Sequence, residues 1–176
     1  MKTKNLAIGA LFSALTAICA WITIPSPIPF TMQTFAIFLS FCVLGGKYSL
    51  FSLLVYIFMG IVGLPVFSGF RGGIGVLLSN TGGYILGFVA SILLMWLLEK
   101  IFGKSKKIVI ISMFAGLFVC YLFGTLWFTL FYTQNFTLSS FLSVATTCVL
   151  PFVVPDAVKI FLAYFMSERI RKAVNA

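Results

Sequence analysis

The sequence contains no histidine, and its only carboxylates are Glu99, Asp156 and Glu168. Imidazole-based metal sites, serine–histidine nucleophiles and paired-carboxylate hydrolysis all need side chains that are missing or too few here. Enzyme readings therefore lose their support, and neither a metal nor a cofactor is expected. No G-x-x-x-x-G-K-[ST] stretch occurs, so the chain does not hydrolyse ATP by itself, and any energised transport must draw on a partner protein or an ion gradient. No C-x-x-C pair occurs either. Cys19, Cys42, Cys120 and Cys148 stand singly in or near apolar stretches and read as small packing residues. Charge is scarce as well, at 9% of residues against about a quarter in soluble domains.

Apolar residues fill the space these absences leave. They make up 61% of the 176 residues, and the mean hydropathy is +1.16. Apolar runs extend over 5–22, 33–45, 48–64, 82–102, 108–132 and 142–166. A helical crossing takes roughly 20 apolar residues, so six of them account for on the order of 120 residues and leave room only for short loops. The expectation is an all-α integral membrane protein of six transmembrane helices forming a single domain over residues 1–176, with the lipid bilayer as its surroundings. The second run is short and reads as a tilted or partial span. Lys2 and Lys4 before the first run also resemble a signal peptide, but the five spans that follow favour an uncleaved first helix.

The net charge of +9 does not form the single stripe that nucleic acid would require. Ten of the twelve basic residues, Lys2, Lys4, Lys47, Lys100, Lys104, Lys106, Lys107, Arg169, Arg171 and Lys172, fall in the tails or in the even-numbered connections. Positive residues are retained on the cytoplasmic side, so both termini are expected inside. Trp21, Tyr132 and Trp96 fall near expected membrane boundaries. Asn135-Phe136-Thr137 is a formal glycosylation triplet in an expected external loop, without meaning in a bacterial chain.

Two constellations stand out. The first is Pro155-Asp156-Ala157-Val158-Lys159, in the last apolar run. Charges at membrane depth face a protein interior or a watery cavity, and residues three apart share one face of a helix that begins near Pro155. The pair is either a self-neutralising structural bridge or a polar contact for a small solute, Asp156 accepting and Lys159 donating. The second is the glycine-rich stretch Gly63 to Val76, followed by Asn80-Thr81-Gly82-Gly83-Tyr84-Ile85-Leu86-Gly87-Phe88. Its glycines allow close approach either to a ligand or to another helix. Within it, Arg71 is the one positive residue expected outside, suited to a solute carboxylate or to lipid phosphate. The first helix carries Ala7, Ala10, Ala14, Ala17 and Ala20; Ala10 and Ala14, four apart, suit close packing within this chain or against a partner subunit.

Five pieces in this order resemble the BioY-type biotin-binding membrane subunits, the S components, of energy-coupling factor (ECF) transporters. They are Pro29-Phe30-Thr31-Met32-Gln33-Thr34, Gly63-Leu64-Pro65-Val66-Phe67, Gly72-Gly73-Ile74-Gly75-Val76, Thr81-Gly82-Gly83-Tyr84-Ile85-Leu86-Gly87-Phe88 and Pro155 to Lys159, within a match from about Pro27 to Lys159. Asn80 departs from the pattern, since proline often stands there. The resemblance implies a six-helix S component in the plasma membrane of a bacterial cell. Such a subunit is loaded with biotin from outside and joined to a transmembrane coupling subunit and two ATPases, with Ala10 and Ala14 on the docking face. Biotin's ureido ring, with two N–H donors and a carbonyl, suits Asp156 and Lys159 assisted by Asn80 or Gln33. Its apolar parts suit Phe30, Phe67 and Tyr84, and its carboxylate suits Arg71. Which group meets which end of the ligand stays open at this point. The competing readings are an S component for another small vitamin and a stand-alone secondary transporter or channel.

Overall fold

The computed structural model describes residues 3–25, 28–133 and 137–175. Lys2, Asn135 and Phe136, and the side chain of Tyr132, lie outside what is described. The chain forms α1 (Thr3–Trp21), a two-residue antiparallel pair of strands β1 (Thr23–Ile24) and β2 (Phe30–Thr31), and then α2 (Gln33–Leu44), α3 (Gly46–Ile61), α4 (Ile74–Leu77), α5 (Gly82–Phe102), α6 (Lys106–Thr133), α7 (Leu138–Cys148) and α8 (Leu150–Asn175). Helices satisfy their own backbone hydrogen bonds, which is what a segment surrounded by hydrocarbon requires. Thr23 pairs with Thr31 and Ile24 with Phe30, and this small β ribbon is the only departure from helix among the named elements.

Four helices are long and apolar enough to cross a bilayer: α1, α5, α6 and α8. Helices α2 and α3 have 12 and 16 residues, about 18 and 24 Å at 1.5 Å per residue, less than the roughly 30 Å of a hydrocarbon core. The expected last run, 142–166, is divided between α7 and α8, with Val149 capping the first of them. α8 also begins earlier than Pro155. Pro151 stands in its first turn, where a missing N–H costs nothing, and Pro155 lies inside the helix.

The core is apolar, as in a water-soluble protein, but the outer surface is apolar as well. Large apolar side chains cover the outside, among them Leu11, Phe58, Phe118, Val154 and Phe165, each more than 60% exposed. Small hydroxyls lie between the helices: the Ser13 hydroxyl donates to the Ser52 carbonyl at 2.7 Å and joins α1 to α3, and the Ser40 and Ser49 hydroxyls lie 2.6 Å apart and join α2 to α3. Glycine does the same for α5 and α6. A Cβ at Gly83, Gly87, Gly116 or Gly124 would meet Trp127, Cys120, Met95 and Ser91, or Tyr84 within 3.0 Å. Helices without a hydrophobic drive toward each other associate through such close contacts.

The α2–α3 turn is made by Gly45, at φ +76°, and Glu99 of α5 accepts the Gly46 amide at 2.7 Å while pairing with Lys104 at the same distance. Lys106 pairs with Glu168 at 3.1 Å. The turns between α2 and α3 and between α5 and α6, and the end of α8, therefore gather at one basic end of the bundle. The β ribbon, the 62–81 loop and the start of α8 lie at the other.

Candidate ligand-binding site

At that second end the start of α2, the 67–88 segment, the middle of α6 and the first turns of α8 surround a cavity. It holds about 690 Å³ of empty space, counting its open mouth. Most of its wall is apolar: Ile28, Phe30, Phe67, Val76, Ile85, Phe88 and Phe152. Phe30 stacks on Phe152 with ring centroids 5.4 Å apart, and Phe67, 1% exposed, meets Tyr56 edge-on at 5.6 Å.

Asp156 and Lys159 form the polar part of this wall. The α8 helix runs unbroken through them, so the three-residue spacing places them on one face. Their charged ends are 2.6 Å apart and almost wholly shielded, at 6% and 4% side-chain exposure. Charges removed from water are tolerated when paired and hydrogen-bonded. Each member of the pair meets that condition.

The Lys159 ammonium has three hydrogens and three acceptors: the Asp156 carboxylate, the Thr31 carbonyl at 2.7 Å and the Thr34 hydroxyl at 3.3 Å. Its charge also lies 3.8 Å from the centre of the Phe30 ring. On Asp156, Oδ1 accepts from Lys159 and from the Thr34 hydroxyl at 2.9 Å, and Oδ2 accepts from the Tyr121 hydroxyl. A carboxylate offers about four acceptor positions, so Oδ2 retains one that none of the described residues fills. The pair is thus held together, yet it stands in the cavity wall.

Gln33 lines the cavity with both ends of its amide engaged: it accepts from the Thr31 hydroxyl at 2.9 Å and donates to Tyr56 at 2.7 Å. Tyr56 passes the link on to the Val66 carbonyl at 3.1 Å. Arg71 is exposed at the cavity and spends one donor on the Ser68 carbonyl of its own loop at 3.0 Å. Tyr84 lines the cavity from α5, its hydroxyl 3.5 Å from that of Thr125. Asn80 is not part of the cavity wall. It sits in the turn before α5, and its neighbour Thr81 takes the wall position. The glycines divide between turns and packing. Gly63, Gly69 and Gly73 have positive φ in the loop, and a Cβ on Gly82 would come within 1.9 Å of the Leu77 carbonyl. None of the glycines borders the cavity.

Sequence reasoning overlooked Thr34 and Tyr121. Thr34 closes the first quoted motif. Tyr121 carried a usable signal, since a phenol in the middle of an apolar helix needs a partner, and the carboxylate of Asp156 was available.

A bundle with an apolar coat, an apolar core threaded by buried hydroxyls and a part-charged cavity between its helices defines a multi-pass membrane protein of the solute-binding class. The family model described as the BioY family matches residues 1–176. The chain belongs to the BioY family. It is 38% identical over 174 residues to a probable biotin transporter BioY of Pyrococcus horikoshii, covering 97% of this chain and 98% of that one. It is 36% identical over 171 residues to the biotin transporter BioY of Thermotoga maritima, covering 96% of each. Among solved structures, the S-component for biotin from an ECF-type ABC transporter superposes with a TM-score of 0.83 at 26% identity, covering 97% of this chain and 92% of that one.

Proposed function

We propose that this chain is the membrane-embedded S component of a biotin uptake system, capturing the vitamin in the α2–α5–α6–α8 cavity. Its family is one of transporters and not of enzymes, and its relatives carry the name of biotin transporters. The observation that carries the reading is the shielded Asp156–Lys159 pair in the wall of an otherwise apolar cavity. A bicyclic ligand with a polar urea edge and an apolar tail needs this combination.

In this reading the open acceptor position on Asp156 Oδ2 takes a ureido N–H. Lys159, whose donors are all engaged, orients the carboxylate and gives up its long 3.3 Å contact with Thr34 to reach the ureido carbonyl. Phe30, Phe67 and Tyr84 cover the apolar parts. Arg71 meets the ligand's carboxylate, and Gln33 keeps β2 and α3 in place around it. Asn80, outside the wall, contributes through the turn that presents Thr81.

We further propose that α2 and α3 complete six crossings, with the basic end in the cytoplasm and the cavity open to the outside of the plasma membrane. On α1, Ala7, Ala10, Leu11, Ala14 and Ile18 are all exposed and follow one face. Ala10 and Ala14 on that face are the docking surface for the transmembrane coupling subunit, which carries two ATPases. The whole chain, 1–176, acts as a single transmembrane domain. Calorimetry on the detergent-purified protein should show saturable one-to-one heat with biotin and none with other small vitamins at the same concentration. Saturation by another vitamin but not biotin would assign the cavity elsewhere. Gradient-driven accumulation in vesicles holding this chain alone would favour a secondary transporter.

A further inference from the structure

At the basic end α6 begins where α8 finishes. Tyr164, Glu168, Arg171 and Lys172 are spaced by four, seven and eight residues from the first, so they share one face of α8, and Lys106 and Val109 share one face of the first turn of α6. With Lys104 these residues line a groove of about 900 Å³, counting its open mouth. Four cations meet one carboxylate there, and two of the cations are engaged: Lys104 with Glu99 at 2.7 Å and Lys106 with Glu168 at 3.1 Å, Glu168 also accepting from Tyr164 at 3.0 Å. Arg171 and Lys172 are the positive surplus.

One atom separates this groove from a merely basic surface. Nε of Arg171 is shielded from solvent and has no hydrogen-bond partner among the described residues. Shielded N–H groups are nearly always partnered, so the Arg171 side chain, which lines the groove, gains a missing bond by turning toward an acceptor there. The N-terminus of the 28-residue α6, opening onto the same groove, adds partial positive charge of its own. The two helices that form the groove also carry bare apolar side chains further along, Ile111 on α6 and Phe165 on α8, each more than 60% exposed. A phosphate seat with such surface along its helices suits a molecule with both a charged head and hydrocarbon tails.

We propose that this groove seats the phosphate of an anionic phospholipid, held by Arg171 and Lys172, with the acyl chains lying along α6 and α8. A lipid so placed ties the first turn of α6 to the last turns of α8. Arg169, exposed and outside the groove wall, carries the same charge two residues away and should not take part.

The test is native mass spectrometry of the purified protein titrated with phosphatidylglycerol, with phosphatidylcholine as the zwitterionic reference. Phosphatidylglycerol should be retained in preference. Arg171→Gln should weaken it by about fivefold, the contribution of one cation near a headgroup, and Arg169→Gln by less than about twofold. Should Arg171→Gln not fold, as judged by its melting curve, Lys172→Gln, exposed and unable to disturb the core, carries the same expectation. Equal losses at 169 and at 171 or 172 would show diffuse charge rather than a seat. No preference over phosphatidylcholine would also overturn the proposal, and displacement of the lipid by an equal concentration of inorganic phosphate would make the free anion the ligand.

Discussion

Asp156 keeps its place inside an apolar bundle because three side chains serve it: Lys159, Thr34 and Tyr121. Removing its charge should therefore do two things at once. Asp156→Asn loses a charge-assisted contact worth about 1.5–3 kcal/mol, so biotin should bind roughly 10- to 150-fold more weakly by calorimetry. It also leaves Lys159 as an unneutralised buried cation, so the melting temperature should fall as well. Tyr121→Phe removes only a donor, and should weaken binding by about threefold to tenfold. Affinities within about twofold of the parent for both variants would remove this pair from the binding site. The pair was visible in the sequence as two charges in an apolar run. Its partners were not, because Thr34 is 122 residues and Tyr121 35 residues away along the chain.

Among the elements, the α5–α6 contact is the one most exposed to a single methyl group. Gly124 leaves room for the ring of Tyr84, which a Cβ would meet at 2.3 Å, and Tyr84 in turn lines the cavity. Gly124→Val should cost about 1–3 kcal/mol through overpacking and lower the melting temperature measurably in detergent. It should weaken biotin binding too, since Tyr84 has to move. Stability and binding both at parental level would mean that the two helices do not pack this closely. Helix positions themselves were largely legible, because apolar runs of 17 or more residues leave few alternatives to helix in lipid. The division of the last run at Val149 was not legible. Residues 142–166 carry no charge besides Asp156 and Lys159, and hydropathy does not register a change of direction between two apolar helices.

For the whole molecule, the proposed orientation and docking face make joint predictions in cells. An impermeant thiol reagent should label Arg71→Cys in intact cells and Lys104→Cys only after permeabilisation. The four native cysteines are free and buried and should react little. Tryptophan at both Ala10 and Ala14 should abolish biotin uptake while leaving calorimetric binding within about twofold, because these side chains face outward from the bundle. Loss of binding together with uptake would place α1 in the fold rather than at an interface, and the reverse labelling pattern would invert the topology.

Composition alone determined that this chain lives in a membrane: with 9% charged residues and 61% apolar ones, no folded state in water could cover its surface. Local sequence likewise determined which charges would be exceptional, since a carboxylate and an ammonium within one apolar run must find each other or a solute. Tertiary structure alone decided the rest. It brought Thr31, Thr34 and Tyr121 around that pair, turned Thr81 rather than Asn80 toward the cavity, and assigned the glycines to turns and helix contacts. The physical reason is range. Hydropathy and helical spacing act over a few residues, whereas a binding site is built from side chains that only the packing of distant helices makes neighbours.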